Sequence, residues 1–302
     1  MARILVVDDN PVDRTLISRL LEARSDWQVD SVPDAPAALQ YLQQQDADLV
    51  VTDLQMPGLD GVELVREIRK LENPVPVVLV TAYGSERESL AALQAGAANF
   101  SHKSRLKRDL VPTASSVLDW AEKIRSWAHP VVSPDQDESR LALVLHNDVN
   151  QIPRLIEMFS DRLPHWARPD ELRISMALDE ALTNAICHGN LEVDSALKES
   201  DDPDRYHTAC RSRLDAEPYC QRRVRVEACF SPCKIEIQIR DEGPGFNPDL
   251  LPDPTLPENI FRPSGRGLLL IRTFMDEVAH NPTGNQITLV KRPGGNPRPP
   301  RI

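Results

Sequence analysis

Asp8 and Asp9 follow directly on the aliphatic run 4–7, and Asp53 follows the aliphatic run 49–52. If those runs are parallel strands, their carboxyl ends share one edge of the sheet, where open α/β sheets bind ligands. Three carboxylates brought together there repel one another unless a cation joins them. An all-oxygen set that leaves room for water and phosphate suits Mg²⁺. Thr81 closes a further aliphatic run, 77–81, and offers a hydroxyl; Lys103 follows the next expected strand and offers a cation to a phosphoryl oxygen. Taken singly, each acid reads as a helix cap or loop residue. Together, at strand ends of one ladder, the five residues read as a phosphate-handling site.

A second group lies further along. Glu180, Asn184 and His188 recur every fourth residue within the stretch 170–188, so a helix places them on one face. The remaining faces are largely apolar through Met176, Ala177, Ala181, Leu182, Ala185 and Ile186. Alone, such a stripe reads as the solvated side of a helix. Two later segments change that reading. The run 235–239 leads straight into Asp241-Glu242-Gly243-Pro244-Gly245. Its glycines permit close backbone approach to a flat ligand, and Asp241 offers an acceptor for an exocyclic amine. Then Ser264-Gly265-Arg266-Gly267-Leu268 opens another helix, whose first N–H groups and positive dipole end favour an anion. The three elements in this order read as a nucleotide site.

The elements that must carry these residues fall into two grammars. Through residue 125, continuous aliphatic runs alternate with amphipathic stretches at 12–23, 36–44, 61–71 and 86–95, and a last helix ends near 120–127. That alternation predicts a doubly wound α/β domain with a parallel sheet over residues 1–125. Residues 126–139, with Pro130 and Pro134, read as a linker. Over 140–292 the expected order is a strand at 141–145, helices at 149–163 and 170–188, and a hairpin of two alternating strands at 223–230 and 234–240. A helix at 267–278 and a strand at 286–290 complete it. This predicts an α+β two-layer sandwich. Residues 293–302, rich in proline and glycine, read as a disordered tail. Residues 191–222 are long for a connection, and their mixed charges fit either a solvated excursion or a docking or regulatory element.

Composition narrows the function classes. Lys+Arg number 35 against 46 Asp+Glu, a net charge of −11, which disfavours a nucleic-acid-binding output. No stretch approaches 18 apolar residues and no signal-peptide pattern opens the chain, so a cytoplasmic protein with no membrane partner is expected. Five cysteines without secretory context are read as reduced thiols.

Asp8-Asp9, Asp53 with Met56-Pro57-Gly58, Thr81-Ala82 and Lys103 resemble the pattern of response-regulator receiver domains. The resemblance implies that Asp53 accepts a phosphoryl group from an upstream sensor histidine kinase. It also implies that Asp8, Asp9, Asp53 and the Gln55 main-chain carbonyl hold Mg²⁺. Thr81 and Lys103 would bind the phosphoryl oxygens, and Phe100 would be the aromatic switch. Ser104 stands where that family usually has proline, so the loop carrying Lys103 is expected to be less fixed.

Asp179-Glu180-Ala181-Leu182-Thr183-Asn184-Ala185, His188, the Asp241–Gly245 box and Gly265-Arg266-Gly267-Leu268 resemble the Bergerat-fold (GHKL) ATPases, and within them the anti-sigma-factor serine kinases. That resemblance implies ATP with Mg²⁺ on Asn184, Glu180 as the catalytic carboxylate and Asp241 on the adenine amine. Gly243, Gly245, Gly265 and Gly267 would shape the pocket and lid, and Thr288 would support the adenine end. The output it implies is phosphorylation of a serine or threonine on an anti-sigma-factor antagonist, controlling a sigma factor, from a chain that pairs as a homodimer. The alternative is a non-catalytic ATP-dependent module that only sequesters its partner. Sensor histidine kinases share these boxes but need a phospho-accepting helical hairpin ahead of them, for which 126–138 is too short. The larger ATPases of the fold need transducer domains not expected at this length.

Overall fold

The computed structural model describes residues 1–71, 73–82, 86–127, 138–195, 197, 204–250 and 266–294, and falls into two units, Met1–Ser126 and Trp127–Ile302. Residues 128–137 of the expected linker, 295–302 of the expected tail and Gly265 lie outside the described residues.

In the first unit, strands β1 (Ala2–Val7), β2 (Trp27–Val32), β3 (Leu49–Asp53), β4 (Val77–Thr81) and β5 (Asn99–His102) alternate with helices. These are α1 (Pro11–Glu22), α2 (Ala35–Gln44), α3 (Gly61–Ile68), α4 (Glu86–Ala95) and α5 (Leu106–Ser126). The sheet is parallel throughout, in the order β2-β1-β3-β4-β5. Every residue of β3 and β4 is buried, as aliphatic strands covered on both faces must be. Two rows of helices do the covering: α1 packs with α5, and α3 packs with α2 and α4. Local chemistry sets the helix starts. The Asn10 side chain accepts from the Val12 N–H ahead of Pro11, fixing α1 immediately after Asp8 and Asp9. Asp60 and Glu63 form a reciprocal capping box that starts α3 just past the Asp53 loop.

The second unit is a single antiparallel sheet with helices on one face. Its strands are β6 (Ser139–Leu145), β7 (Val224–Phe230), β8 (Ile235–Arg240), β9 (Glu277–His280) and β10 (Gln286–Lys291), in the order β6-β7-β8-β10-β9. Alternation decides the faces: Val224, Val226, Ala228 and Phe230 are buried with Ile235, Ile237 and Ile239, while Arg225, Glu227 and Arg240 are exposed. Helices α6 (Ile152–Ser160), α7 (Glu171–Thr183) and α9 (Arg266–Phe274) pack side by side, with Phe159 and Phe274 fully buried among them. Phe159 meets Phe230 of the sheet edge-on, with ring centroids 5.6 Å apart.

Three expectations change here. The helix expected at 170–188 turns into a π segment with an i→i+5 ladder at Asn184–Asn190. The helix expected at 267–278 stops at Phe274; Asp276 N–H bonds to the Val290 carbonyl, and Glu277–His280 becomes the edge strand β9. Residues 191–222 contain a helix, α8 (Asp204–Leu214), ahead of a short turn at Tyr219–Gln221.

Candidate functional site

β1 and β3 end together, and their acids meet there. Asp8, Asp9 and Asp53 each present a ligand oxygen, all within 4.8 Å of one another. Among the described residues this is the one group of acids, histidines or cysteines so placed. Asp8 is fully buried and Asp53 nearly so, while Asp9 is exposed. One Asp8 oxygen accepts the Asn10 N–H at 2.9 Å; its Oδ2 is buried and accepts no hydrogen bond. A buried carboxylate oxygen that no hydrogen bond satisfies, beside two more carboxylates, fits a hard divalent cation. Gln55 lies exposed two residues beyond Asp53 in the same loop, which turns at Gly58 with φ +81°.

Lys103 leans into this cluster from the end of β5. Its Nζ lies 3.2 Å from Asp53 Oδ2, 3.5 Å from Asp8 Oδ2 and 2.7 Å from Asp13 Oδ2. Burial works against its charge, but Asp13, Asp53 and Asp8 outweigh that and raise its pKa above the ordinary lysine value. Burial also pushes the Asp8 carboxyl up to about 6 and raises Asp53, with Lys103 opposing both. Asp13, one turn into α1, is a partner the sequence reading missed. So is His102. Its Nδ1 accepts the Ser104 N–H at 3.1 Å and pairs with Ser104 Oγ at 2.6 Å, capping the turn that carries Lys103. The loop expected to lack an anchor, for want of proline, is therefore tied down by its neighbour. Thr81 is fully buried with its hydroxyl 3.2 Å from Ser89 Oγ, and the Phe100 ring is turned inward, 4% exposed.

In the second unit Glu180 and Asn184 stand half-buried one turn apart, at the end of α7 and the start of the π segment. Gly267, at the start of α9, rests on Glu180. A Cβ there would collide with the Glu180 carboxylate, so glycine is what lets the helix come this close. Asp241 follows β8 and is 8% exposed. Its Oδ1 accepts the Gly243 N–H at 2.9 Å, and Gly189 of the π segment packs on its other side. Burial pushes the Asp241 carboxyl up to about 6, against the Gly243 hydrogen bond. The turn beyond is closed by Gly245, φ +71°, whose α-carbon faces the Thr283 carbonyl.

The structure places Thr288 elsewhere. It pairs with Gln238 in the row between Ile287 and Leu289, which match the buried Ile239 and Ile237, so it lies on the sheet face away from the helices. Asn285 stands beside Asp241 instead. Its Nδ2 donates to the Asp241 carbonyl at 3.3 Å, and the Asp241 N–H donates to the Asn285 carbonyl at 3.0 Å. His188 serves the fold, with Nδ1 2.6 Å from the Val193 carbonyl and its ring against Tyr206.

Residues 4–114 match the response regulator receiver domain family, and residues 145–291 match the histidine kinase-like ATPase domain family. The chain joins a receiver domain to a kinase-like ATPase domain. Among curated proteins it is 39% identical over 123 residues to the sensor histidine kinase GacS of Pseudomonas protegens, covering 39% of this chain and 13% of that one. It is 43% identical over 102 residues to a protein-glutamate methylesterase/protein-glutamine glutaminase of a Nocardioides species, covering 32% of this chain and 28% of that one. The chain thus spans well under half the length of these relatives. Among solved structures, a response regulator receiver domain protein from Clostridium thermocellum is 27% identical, over 40% of this chain and 98% of that one, with a TM-score of 0.38. No described helix is long and apolar enough to cross a membrane.

Within the ATPase domain the contact between Gly189 and Asp241 gives a direct test. A Cβ on Gly189 would lie 2.5 Å from Asp241 Cγ and 2.7 Å from its Oδ1. Gly189→Ala should therefore displace the carboxylate, lowering the melting temperature by about 2–4 °C for each kcal/mol of strain. Thermal melts of the variant beside the wild type check it.

Proposed function

We propose that this protein is a two-component response regulator whose output domain phosphorylates a serine or threonine of a partner protein. The observation that carries the reading is the placement of Glu180. Its carboxylate sits against the backbone at Gly267, where α9 opens, one helical turn ahead of Asn184. Phosphates drawn to the N–H groups of that helix start would lie within reach of a base.

In the receiver domain, an Asp53 oxygen forms a new bond to phosphorus as the phosphorus–nitrogen bond of the sensor kinase's phosphohistidine breaks. Lys103 then balances the added charge, and Thr81 hydrogen-bonds a phosphoryl oxygen. Asp8, Asp9, Asp53 and the Gln55 carbonyl would hold Mg²⁺, which would offset the charge of the incoming phosphate.

In the ATPase domain Asp241 reads the adenine amine, with Gly243, Gly245 and Gly267 shaping the pocket. Asn184 would hold the Mg²⁺ that accompanies ATP. The partner's hydroxyl oxygen bonds to the γ-phosphorus as the bond to the β,γ-bridging oxygen breaks; ADP leaves with the electron pair and Glu180 takes the hydroxyl proton. Most of the rate comes from positioning and charge, as phosphoryl transfer allows. An anti-sigma-factor antagonist is the partner that best suits this output, with a sigma factor as the downstream element in the cytoplasm.

The test is incubation of the full chain with γ-labelled ATP, Mg²⁺ and antagonist proteins from the same cell. Label should appear on a partner serine or threonine. Glu180→Gln should lower that rate by about 10²–10⁴-fold, the usual worth of a general base, with ATP affinity little changed. Stoichiometric capture of the partner without label would instead make the domain a sequestering module.

A further inference from the structure

Two arginines fasten the end of the stretch 191–222 to its start and to Asn190, beside the contact of Tyr206 with His188. Arg213 Nη1 donates to the carbonyls of Leu191 at 2.6 Å and Glu192 at 2.5 Å. Arg222 Nη1 donates to the Asn190 carbonyl at 2.7 Å and to Glu192 Oε1 at 2.8 Å. Between them these arginines hold Glu192 at φ +51°, a conformation a glutamate seldom adopts. Both guanidinium groups also lie over the Tyr219 ring, 5.2 and 5.3 Å from its centroid.

The fastening point leads into the nucleotide site. Asn190 is fully buried. Its Nδ2 donates to Asn147 Oδ1 at 2.7 Å, and Asn147 Nδ2 donates to the Tyr219 carbonyl at 2.8 Å. Its Oδ1 accepts the Glu242 N–H at 2.7 Å. That N–H belongs to the peptide bond joining Asp241 to Glu242, so a single peptide unit separates the network from the Asp241 α-carbon. Preceding Asn190 in the chain is Gly189, which packs on the Asp241 carboxylate. Buried polar networks of this kind bind their members together, since each unpaired group costs about 1–3 kcal/mol.

We propose that Asn190 is a positioning residue for Asp241, and that the Arg213–Tyr219–Arg222 stack gripping it makes the insertion a control arm of the nucleotide site. This rests on the reading of Asp241 as part of an adenine-nucleotide site. Loosening the stack lowers nucleotide affinity, and by reciprocity bound nucleotide tightens the stack. A protein that docks on the insertion then sets the affinity for nucleotide without entering the pocket.

Hydrogen exchange of the full wild-type chain, with and without saturating ADP and Mg²⁺, tests the coupling. Amides at 204–222 should exchange at least about fivefold more slowly with nucleotide bound, the low end of typical site-to-site couplings. Arg222→Gln should weaken ADP binding about tenfold in calorimetry, a loss of about 1.4 kcal/mol. Arg222→Lys should recover part of that loss, and Arg211→Ala, on the exposed side of α8, should bind as wild type. If wild type binds no nucleotide, the functional reading fails first. If wild type binds but the 204–222 amides exchange unchanged, the control arm is wrong. Should Arg222→Gln fail to fold, the wild-type exchange comparison decides alone.

Discussion

Asp53→Asn should leave a folded receiver domain that takes up no phosphoryl group. The carboxylate it replaces is a buried member of the cluster, 3.2 Å from Lys103, and an amide of the same shape cannot form an acyl phosphate. Uptake of label from acetyl phosphate should fall by at least about a hundredfold, a loss of chemistry with binding little altered. The same substitution should not unfold the protein. Burial raises the pKa of Asp53, which means that its ionised form is disfavoured by the fold. An acid raised in this way contributes stability that is complete below its unfolded pKa and lost as pH rises through the folded value. At pH 7 and without Mg²⁺ the asparagine relieves repulsion with Asp8 and Asp9, so its melting temperature should equal or exceed that of wild type. Adding Mg²⁺ should reverse the order, because only wild type keeps the full set of ligands. A variant that still accepts label at the wild-type rate would remove Asp53 from the chemistry.

The acids of the receiver domain were legible because they end strands that announce themselves. β1, β3 and β4 are runs of Val, Ile and Leu buried on both faces, and no helix period fits them. β2 and β9 were not legible. Both lie at sheet edges, and Gln28, Asp30 and Ser31 in one and Glu277 and His280 in the other leave no aliphatic run to find. The overrun of α9 has the same cause: Met275 and Val278 continue a helical spacing that the backbone abandons in order to pair with β10. Glu180, Asn184, Asp241 and the glycines were found by type and order along the chain. The π segment was not, because nothing local distinguishes an i→i+5 ladder from an i→i+4 one. It forms where Gly189 and Asn190 must meet the Asp241 turn more than 50 residues away. Asn147, Asn190 and Asn285 were missed for a related reason. A polar residue near a loop carries no sign of the group it will meet, because only the tertiary fold supplies that partner.

Asp241→Asn should stabilise the nucleotide-free ATPase domain and cripple its binding of adenine nucleotides. The carboxyl is pushed up to about 6 from an ordinary 3.8, chiefly by burial. The stability linked to it is therefore complete below about 3.8 and lost as pH rises through about 6. At neutral pH the fold carries a cost of order 3 kcal/mol for keeping this group ionised. Asparagine removes that cost, so the melting temperature of the free protein should rise at pH 7 and change little at pH 4. Binding should move the other way. The Gly243 N–H already occupies one oxygen at 2.9 Å. Asparagine can satisfy that N–H with its carbonyl only by turning its NH₂ toward the base, donor against the adenine amine. The loss of a hydrogen bond to a charged group, about 1.5–3 kcal/mol, corresponds to about 10–150-fold in affinity. A base with a carbonyl in place of the amine would meet that NH₂ favourably, so preference should shift from ATP toward ITP. Wild-type affinity for ADP should decline as pH falls below about 6, where Asp241 gains its proton, and the variant should show no such decline. Calorimetric titrations with ATP, ITP and ADP between pH 5 and pH 8 separate these outcomes. An Asp241→Asn protein that binds ATP as tightly as wild type, with the same pH profile, would show that the base is read elsewhere.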